Sequence, residues 1–253
     1  MNKINNSEKF FAQDSLYYFP YHYLSSQIET EIIKPFKVYY WLYDYMLMIN
    51  FIKLKINNFS NSKILDFGCG DGRLLFEIKS QKKNEYFGYE ISEQASLFFN
   101  AFNPEIKLIN ELSQLSDYKD FFDIITFSEV IEHIPKNDLN SNIDVIHKIL
   151  KKNGLLIVTA PHENMPVHKK HYRHYNFNSL KENFPDDKYE IIENKFLFPK
   201  ENFFSSLLRK FFFNRYFIIN FNLLYKIYFR YKRKKFFCEE SQSKTILLIL
   251  KKK

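Results

Sequence analysis

The stretch from Ile64 to Leu75, ILDFGCGDGRLL, constrains the fold more than any other part of this chain. An apolar pair, Ile64 and Leu65, leads into Asp66. Glycines then alternate at 68, 70 and 72, and a helical pattern opens at Arg73. A strand that breaks into glycines and restarts as a helix builds a ligand site. Glycine lets the backbone turn through positive φ and lets a ligand reach the main chain. A helix start presents free N–H groups to a carboxylate or phosphate. Dinucleotide folds use G-x-G-x-x-G around a pyrophosphate. Here the spacing is G-x-G-x-G, with an acid two residues before the first glycine. A carboxylate repels pyrophosphate and attracts an ammonium, so Asp66 points to a ligand with an amino-acid end.

Three later stretches follow in order. YFGYEIS, Tyr86 to Ser92, is an aromatic and apolar run that ends in Glu90. An acid about 20 residues past a glycine loop, at the end of the next strand, can bond a ribose hydroxyl pair. FFDIITFSEVIEHIP, Phe121 to Pro135, holds a buried strand over Ile124–Phe127 that opens into polar residues and then a helix. LKKNGLLIVTAP, Leu150 to Pro161, reads as a helix end, an Asn153-Gly154 turn and a strand. Over Lys63 to Pro161 the chain resembles the class I S-adenosylmethionine (SAM) methyltransferases. The resemblance implies that Asp66 and the backbone of Gly68, Gly70 and Gly72 hold the methionine end of SAM. It implies Glu90 for the ribose hydroxyls and Ile91 against the adenine. It places Glu111 near the adenine amino group, with Asn110 an equal claimant, and Ser128 and Glu129 beside the methionine end.

Strand patterns at 63–67, 85–90, 106–109, 123–128 and 154–160 alternate with helical patterns at 72–80, 92–101 and 138–150. Such alternation means a parallel sheet covered on both faces. A helix at 178–184 and strands at 189–198 and 244–253 complete the expected architecture. The resemblance implies an α/β, Rossmann-like, seven-stranded and mostly parallel sheet whose last strand is antiparallel. One domain over 1–253 is expected: a helical cap at 1–60, a core at 61–198 and 242–253, and a helical insert at 199–241. In the cap, Ile33 to Ile56 is mostly helical in pattern. Tyr21, His22 and Tyr23 either cap the site or pack as leader aromatics.

The charge is placed unevenly. Between Lys200 and Glu240 stand ten basic and three acidic residues, which is +7 of the chain's +8. The rows Phe203, Leu207, Phe211 and Phe204, Leu208, Phe212 suggest one helix there. Ile218, Phe221, Leu224 or Tyr225, and Tyr228 suggest a second. Three readings stay open: a peripheral membrane foot drawn to anionic lipid, a lid that grips phosphates, and a helical subdomain or dimer surface with a solvated rim. Two cysteines make no disulfide framework and fit a reduced cytoplasmic setting. The start MNKINNSEKFF has no secretory pattern. No apolar run reaches the length of a membrane span.

EVIEH, Glu129 to His133, resembles the same stretch in ubiquinone-type and sugar O-methyltransferases. His133 is the candidate general base, since imidazole titrates near neutrality. Alternatively, Glu129, Glu132 and His133 hold a divalent cation from one helical face, or His133 is structural. The expectation is no resident metal. PHENMPVHKKHYRHY, Pro161 to Tyr175, gathers His162, His168, His171, Arg173 and His174. There His171 is the rival base, and His171 and Arg173 are candidates to bind an anionic acceptor.

The expected function is SAM-dependent methyl transfer to an oxygen of a small, phosphate-bearing acceptor, such as a nucleotide-linked sugar or a capsule phosphoramidate intermediate. A membrane-associated lipid or quinone O-methyltransferase, placed at the inner membrane face, is the first alternative; a nucleic-acid methyltransferase and a non-catalytic SAM-binding module rank below it. SEVI stands where DNA amino-methyltransferases carry N/D-P-P-Y/F, so no nucleic-acid partner is expected. The protein is expected to be a monomer or a homodimer.

Overall fold

The alternating patterns become a layered α/β sheet. The computed structural model describes residues 6–14, 26–28, 31–33, 40–79, 83–212, 227 and 230–253. The chain opens with α1 (Asn6–Asp14), a hairpin of β1 (Ser26–Ile28) and β2 (Glu31–Ile33), and α2 (Tyr40–Ile56). Then come β3 (Lys63–Phe67), α3 (Arg73–Ile78), β4 (Glu85–Tyr89), α4 (Glu93–Phe102), β5 (Lys107–Ile109) and β6 (Phe122–Ser128). The second half holds α5 (Lys136–Ile149), β7 (Leu150–Pro161), α6 (Phe177–Lys181), β8 (Tyr189–Pro199), α7 (Phe203–Phe212) and β9 (Ser243–Lys252).

The main sheet runs β5-β4-β3-β6-β7-β9-β8. β9 lies antiparallel between β7 and β8, and the other neighbours pair in parallel. The expected seven strands with an antiparallel last strand are therefore present. From β3 the chain moves outward to β4 and β5, then returns to the other side at β6. That reversal opens a crevice at the carboxyl ends of β3 and β6, where α/β sheets bind ligands.

Period-two alternation sends strand side chains to two cores. Leu65, Phe67, Ile125, Phe127, Leu156 and Val158 meet α5 and α6 through Ile143, Ile146, Ile149 and Leu180. Ile64, Ile124, Ile157 and Leu247 meet α2, α3 and α4 through Ile49, Ile52, Leu75 and Phe99. Met46, Ile49, Ile52 and Ile56 of α2 are at most 2% exposed. Full burial of each such side chain contributes about 1.5–3 kcal/mol.

The cap differs from its expected form. Ile33 pairs with Ser26 in the hairpin, and the described helix starts only at Tyr40. Tyr21, His22 and Tyr23 lie outside the described residues, as do Ile218, Phe221, Leu224, Tyr225 and Tyr228. Of the two rows expected in the insert, Phe203, Leu207 and Phe211 form an exposed face of α7, at 87%, 55% and 55%. The side chains of Phe204, Leu208 and Phe212 are outside the described set. The Asn153-Gly154 turn sits within β7 as an irregularity: pairing jumps from Phe122↔Leu150 to Ile124↔Leu155, and Asn153 has φ 62. No helix among the described residues is long and apolar enough to cross a membrane.

Candidate functional site

The glycine loop leaves the carboxyl end of β3 and is pinned to β4. Gly68 N–H and Cys69 N–H both donate to the Tyr89 carbonyl, at 2.8 and 2.9 Å. Gly68, Gly70 and Gly72 all have positive φ. At Gly68 the requirement is double: φ is +80, and a Cβ would stand 2.5 Å from Val130 Cγ2. Glu90 braces the loop from the next strand. Its Oε2 accepts from Gly70 N–H and its Oε1 from Ser92 N–H, both at 2.8 Å. Burial raises the Glu90 pKa, and these N–H groups pull against that rise. Asp66 lies beneath the loop, 4% exposed. Burial lifts its carboxyl to about 7, against the opposing hydrogen bond from Thr126.

A cavity of about 490 Å³ opens beside the loop. Of the residues expected to hold a cofactor, Gly68, Glu90, Ile91 and Glu129 line it. Asp66, Gly70, Gly72, Glu111 and Ser128 are not among its lining residues. Gly70 reaches it only through Glu90. Ser128 Oγ is instead 2.8 Å from Thr159 Oγ1. Glu111 is exposed and accepts from Ser113 Oγ. Its rival Asn110 sits closer to the site: Nδ2 donates to the Glu90 carbonyl and to Ser96 Oγ, at 2.9 and 2.8 Å.

Sequence reasoning missed the cavity's other wall, which is α1. Lys9, Phe10 and Asp14 line the cavity. Asp14 accepts from Ser92 Oγ, and Lys9 Nζ donates to the carbonyls of Lys169 and His171 at 3.1 and 2.9 Å. The segment gave no apolar periodicity from which to infer a helix; contacts far along the chain hold it. None of the described residues of 199–241 lines this cavity. Their edge strand, β8, is three places from β6 in the sheet. They border a separate cavity of about 650 Å³, with Lys200, Lys232, Lys235 and Tyr231 on its wall.

The far end of the first cavity is a buried acid–imidazole cluster. EVIEH does not form the expected α-helix. Glu129 has φ 57, in the left-handed region that side chains adopt at a cost, and Ile131–His133 is a 3₁₀ turn. Glu129, Glu132 and His133 therefore do not share one helical face. Glu129 and Glu132 each keep a buried carboxylate oxygen without a hydrogen-bond partner, Oε1 and Oε2 respectively. Burial pushes Glu129 up to about 7. Burial and the Glu129 charge push Glu132 well above the carboxylate range. Lys170 lies near both acids, and burial lowers its pKa.

His133 lines the cavity. Its ring stands perpendicular to that of His171, with centroids 4.7 Å apart. Burial, then Lys170, drives His133 down to about 3. Burial, then His133, drives His171 down to about 2. Both imidazoles are neutral at physiological pH. His171 stands behind His133 and is not among the lining residues. Arg173 reaches the Tyr175 hydroxyl at 3.3 Å and is likewise outside the lining. His162 is buried beside Glu240 and is not among the lining residues.

Comparison with known proteins adds an independent line. A family model described as a methyltransferase domain matches residues 42–195. The ubiquinone biosynthesis O-methyltransferase of Pelagibacter ubique (strain HTCC1062) is 29% identical over 137 residues, which are 53% of this chain and 50% of that one. Its counterpart in Pseudomonas fluorescens (strain Pf0-1) is 27% identical over 124 residues, 47% of this chain and 52% of the relative. The chain thus spans about half the length of the curated relatives it matches. Among solved structures, a SAM-dependent methyltransferase from Archaeoglobus fulgidus superposes with TM-score 0.55 at 15% identity, covering 85% of this chain and all of that one. The N-methyltransferase NodS from Bradyrhizobium japonicum WM9, in complex with S-adenosylhomocysteine, gives 0.55 at 11% identity over 83% and 87%. At such identities these structures speak for the fold.

Proposed function

Because this chain belongs to the methyltransferase-domain family, of the class I SAM-dependent type, we propose that it transfers a methyl group from SAM to an oxygen of a small acceptor. One observation carries the reading: a single cavity joins the braced glycine loop, Glu90 and Ile91 to the imidazole of His133.

The residues present fit SAM. Gly68 offers main chain with no Cβ, and the wall behind it is already filled by Val130. Glu90 is a buried acid at the end of β4, with two of its acceptor positions used and others left for hydroxyl donors. Ile91, 57% exposed, presents an apolar side chain for a purine face. Asp66 supplies a negative centre under the loop for an ammonium group. When bound, SAM supplies an electrophilic methyl on a sulfonium with a good leaving group.

The chain's part is then alignment, which contributes on the order of 7–11 kcal/mol when reacting atoms are held in a productive pose. Phe10 of α1 adds an apolar side chain to the cavity wall. His133 lines the acceptor end of the cavity and is the candidate base; burial holds its pKa down to about 3, so the ring is unprotonated but only weakly basic until an acceptor or a neighbouring charge raises it. Lys9 and Lys170 share the wall with Asp14, Glu90, Glu129 and Asp138; these two lysines are the support for a phosphate-bearing acceptor, such as a nucleotide-linked sugar or capsule intermediate.

A second acceptor class, a membrane-resident quinone precursor, is supported by the names of the curated relatives. The exposed row Phe203, Leu207 and Phe211, together with the exposed basic residues at 230 and 233–235 of the same insert, also supports it.

Calorimetric titration with S-adenosylhomocysteine tests the cofactor site. Micromolar binding that Glu90→Ala and Asp66→Ala abolish supports it, and no binding by folded wild-type protein overturns it. Transfer of labelled methyl from SAM to nucleotide sugars, or to a catechol-type quinone precursor in vesicles, then separates the two acceptors.

A further inference from the structure

We propose that Asp14, at the end of α1, is a second carboxylate for the cofactor's ribose, accepting from one of its hydroxyl groups while Glu90 accepts from the other. This rests on the SAM reading of the cavity and adds to it a residue from outside the sheet.

Asp14 and Glu90 hold the same residue between them. Glu90 Oε1 accepts from Ser92 N–H at 2.8 Å, and Asp14 Oδ1 accepts from Ser92 Oγ. That hydroxyl oxygen also accepts from Ala95 N–H at 3.0 Å and caps α4. Ser92 is thereby fixed, and the two carboxylates are fixed against it. Asp14, Glu90, Ile91 and Ser92 all line the cavity. Beyond its bond to Ser92, the Asp14 carboxylate makes no hydrogen bond or ion pair among the described residues. A carboxylate has about four lone-pair positions, so most of its accepting capacity is left for a ligand.

Nothing local favours an acid here. Asp14 is the last residue of α1, where the helix dipole favours a cation. It also stands near a second acid: burial raises the Glu90 pKa, and the Asp14 charge adds to the rise. Two carboxylates side by side repel each other unless donors lie between them. The Ser92 hydroxyl is one such donor. A ribose brings two more, on neighbouring carbons, and a hydroxyl bonded to a charged acceptor makes a strong hydrogen bond. The helix that carries Asp14 is anchored at a second point, where Lys9 Nζ donates to the carbonyls of Lys169 and His171. Glu111, the acid expected beside the adenine, does not line the cavity; Asp14 is the acid that α1 brings to that wall.

The test is calorimetric titration of the full chain with S-adenosylhomocysteine and with its 2′-deoxy and 3′-deoxy forms. Wild-type protein should bind each deoxy form about tenfold or more weakly than the parent. Asp14→Ala should lose a similar factor for the parent. One deoxy form should then bind this variant as well as the parent does, because the hydroxyl it lacks no longer has a partner. The other deoxy form should keep its loss, since Glu90 remains. Lys9→Ala loosens α1 without touching the ribose and should weaken all three ligands by a common factor. That common-factor pattern in Asp14→Ala means only that the helix has undocked, and it overturns the contact. Asp14→Asn keeps an oxygen for the Ser92 hydroxyl and is read in the same way if Asp14→Ala fails to fold by thermal unfolding. Parent affinity unmoved in both Asp14 variants overturns the contact and leaves the cofactor reading standing. No binding by folded wild-type protein overturns the cofactor reading itself.

Discussion

Thr126 Oγ1 donates a 2.7 Å hydrogen bond to Asp66 Oδ1 across the β3–β6 pair, where the two residues are register partners. That contact is the chief force keeping a buried carboxylate from an even higher pKa. A stability prediction follows from it. Asp66 is raised from 3.8 to about 7, so between about pH 4 and pH 7 the native state holds a proton that the unfolded chain has released. Stability therefore falls as pH rises through that window and is level above it. Asp66→Asn keeps the acceptor and removes the charge. Thermal unfolding should show the variant equal to wild type at pH 4 and several degrees more stable at pH 8. A difference that does not grow with pH refutes this.

On the proposed cofactor pose, the same carboxylate couples binding to pH. An ammonium group beside Asp66 favours its ionised form, so binding below about pH 7 expels a proton. Affinity for S-adenosylhomocysteine should rise from pH 5.5 to 7.5 and then level off. Calorimetry in buffers of different ionisation enthalpy would detect proton release at pH 6 and little at pH 8. Asp66→Asn should abolish both effects.

Glu90 accepts two backbone N–H groups with two oxygens, and an amide has only one oxygen to offer. Glu90→Gln should therefore set an N–H₂ against a backbone donor. The expected loss is about 1–3 kcal/mol of stability, with weakened S-adenosylhomocysteine binding. Unfolding in denaturant and titration measure the two effects. A fully tolerated Gln would show that the braces to Gly70 and Ser92 do not need the carboxylate.

Gly68→Ala meets two obstacles, positive φ and Val130. The variant should lose S-adenosylhomocysteine affinity by tenfold or more, about 1.4 kcal/mol or above. Adding Val130→Ala removes the steric part and leaves the backbone part. Partial recovery in the double variant is expected, and full recovery would show that φ at this position is unimportant.

Lys252 Nζ is enclosed by the His147 and Leu150 carbonyls at 2.7 and 2.6 Å and by Asp120 Oδ1 at 2.8 Å. Lys252→Met would strand those acceptors. A loss of about 2–4 kcal/mol is expected in denaturant unfolding. The neighbouring and more exposed Lys251→Met should cost less than about 0.5 kcal/mol. Equal effects would contradict the contact.

Much of the core was legible from local pattern. Glycine spacing, strand–helix alternation and the late strand pattern over 244–253, with its apolar run at 246–250, depend on neighbours in sequence, and these specify the order along the chain and the type of the elements. What lay beyond reach depended on distant partners. Helix α1 is held against the cavity by Ser92 and by the carbonyls of residues 169 and 171. EVIEH has helical spacing, yet Glu129 turns through the left-handed region and Tyr172 N–H takes the Glu132 carbonyl at 2.8 Å, so a 3₁₀ turn replaces the helix. Lys252 resembles a solvated tail lysine until β9 lies between β7 and β8.

By itself the sequence determined the glycine loop, the acid at the end of the next strand and the succession of strands and helices along the chain, because each follows from backbone freedom or hydrophobic period within a short window. Only the tertiary structure decided which of those residues reach the cavity. It alone brought His171 against His133, because that contact joins segments about forty residues apart.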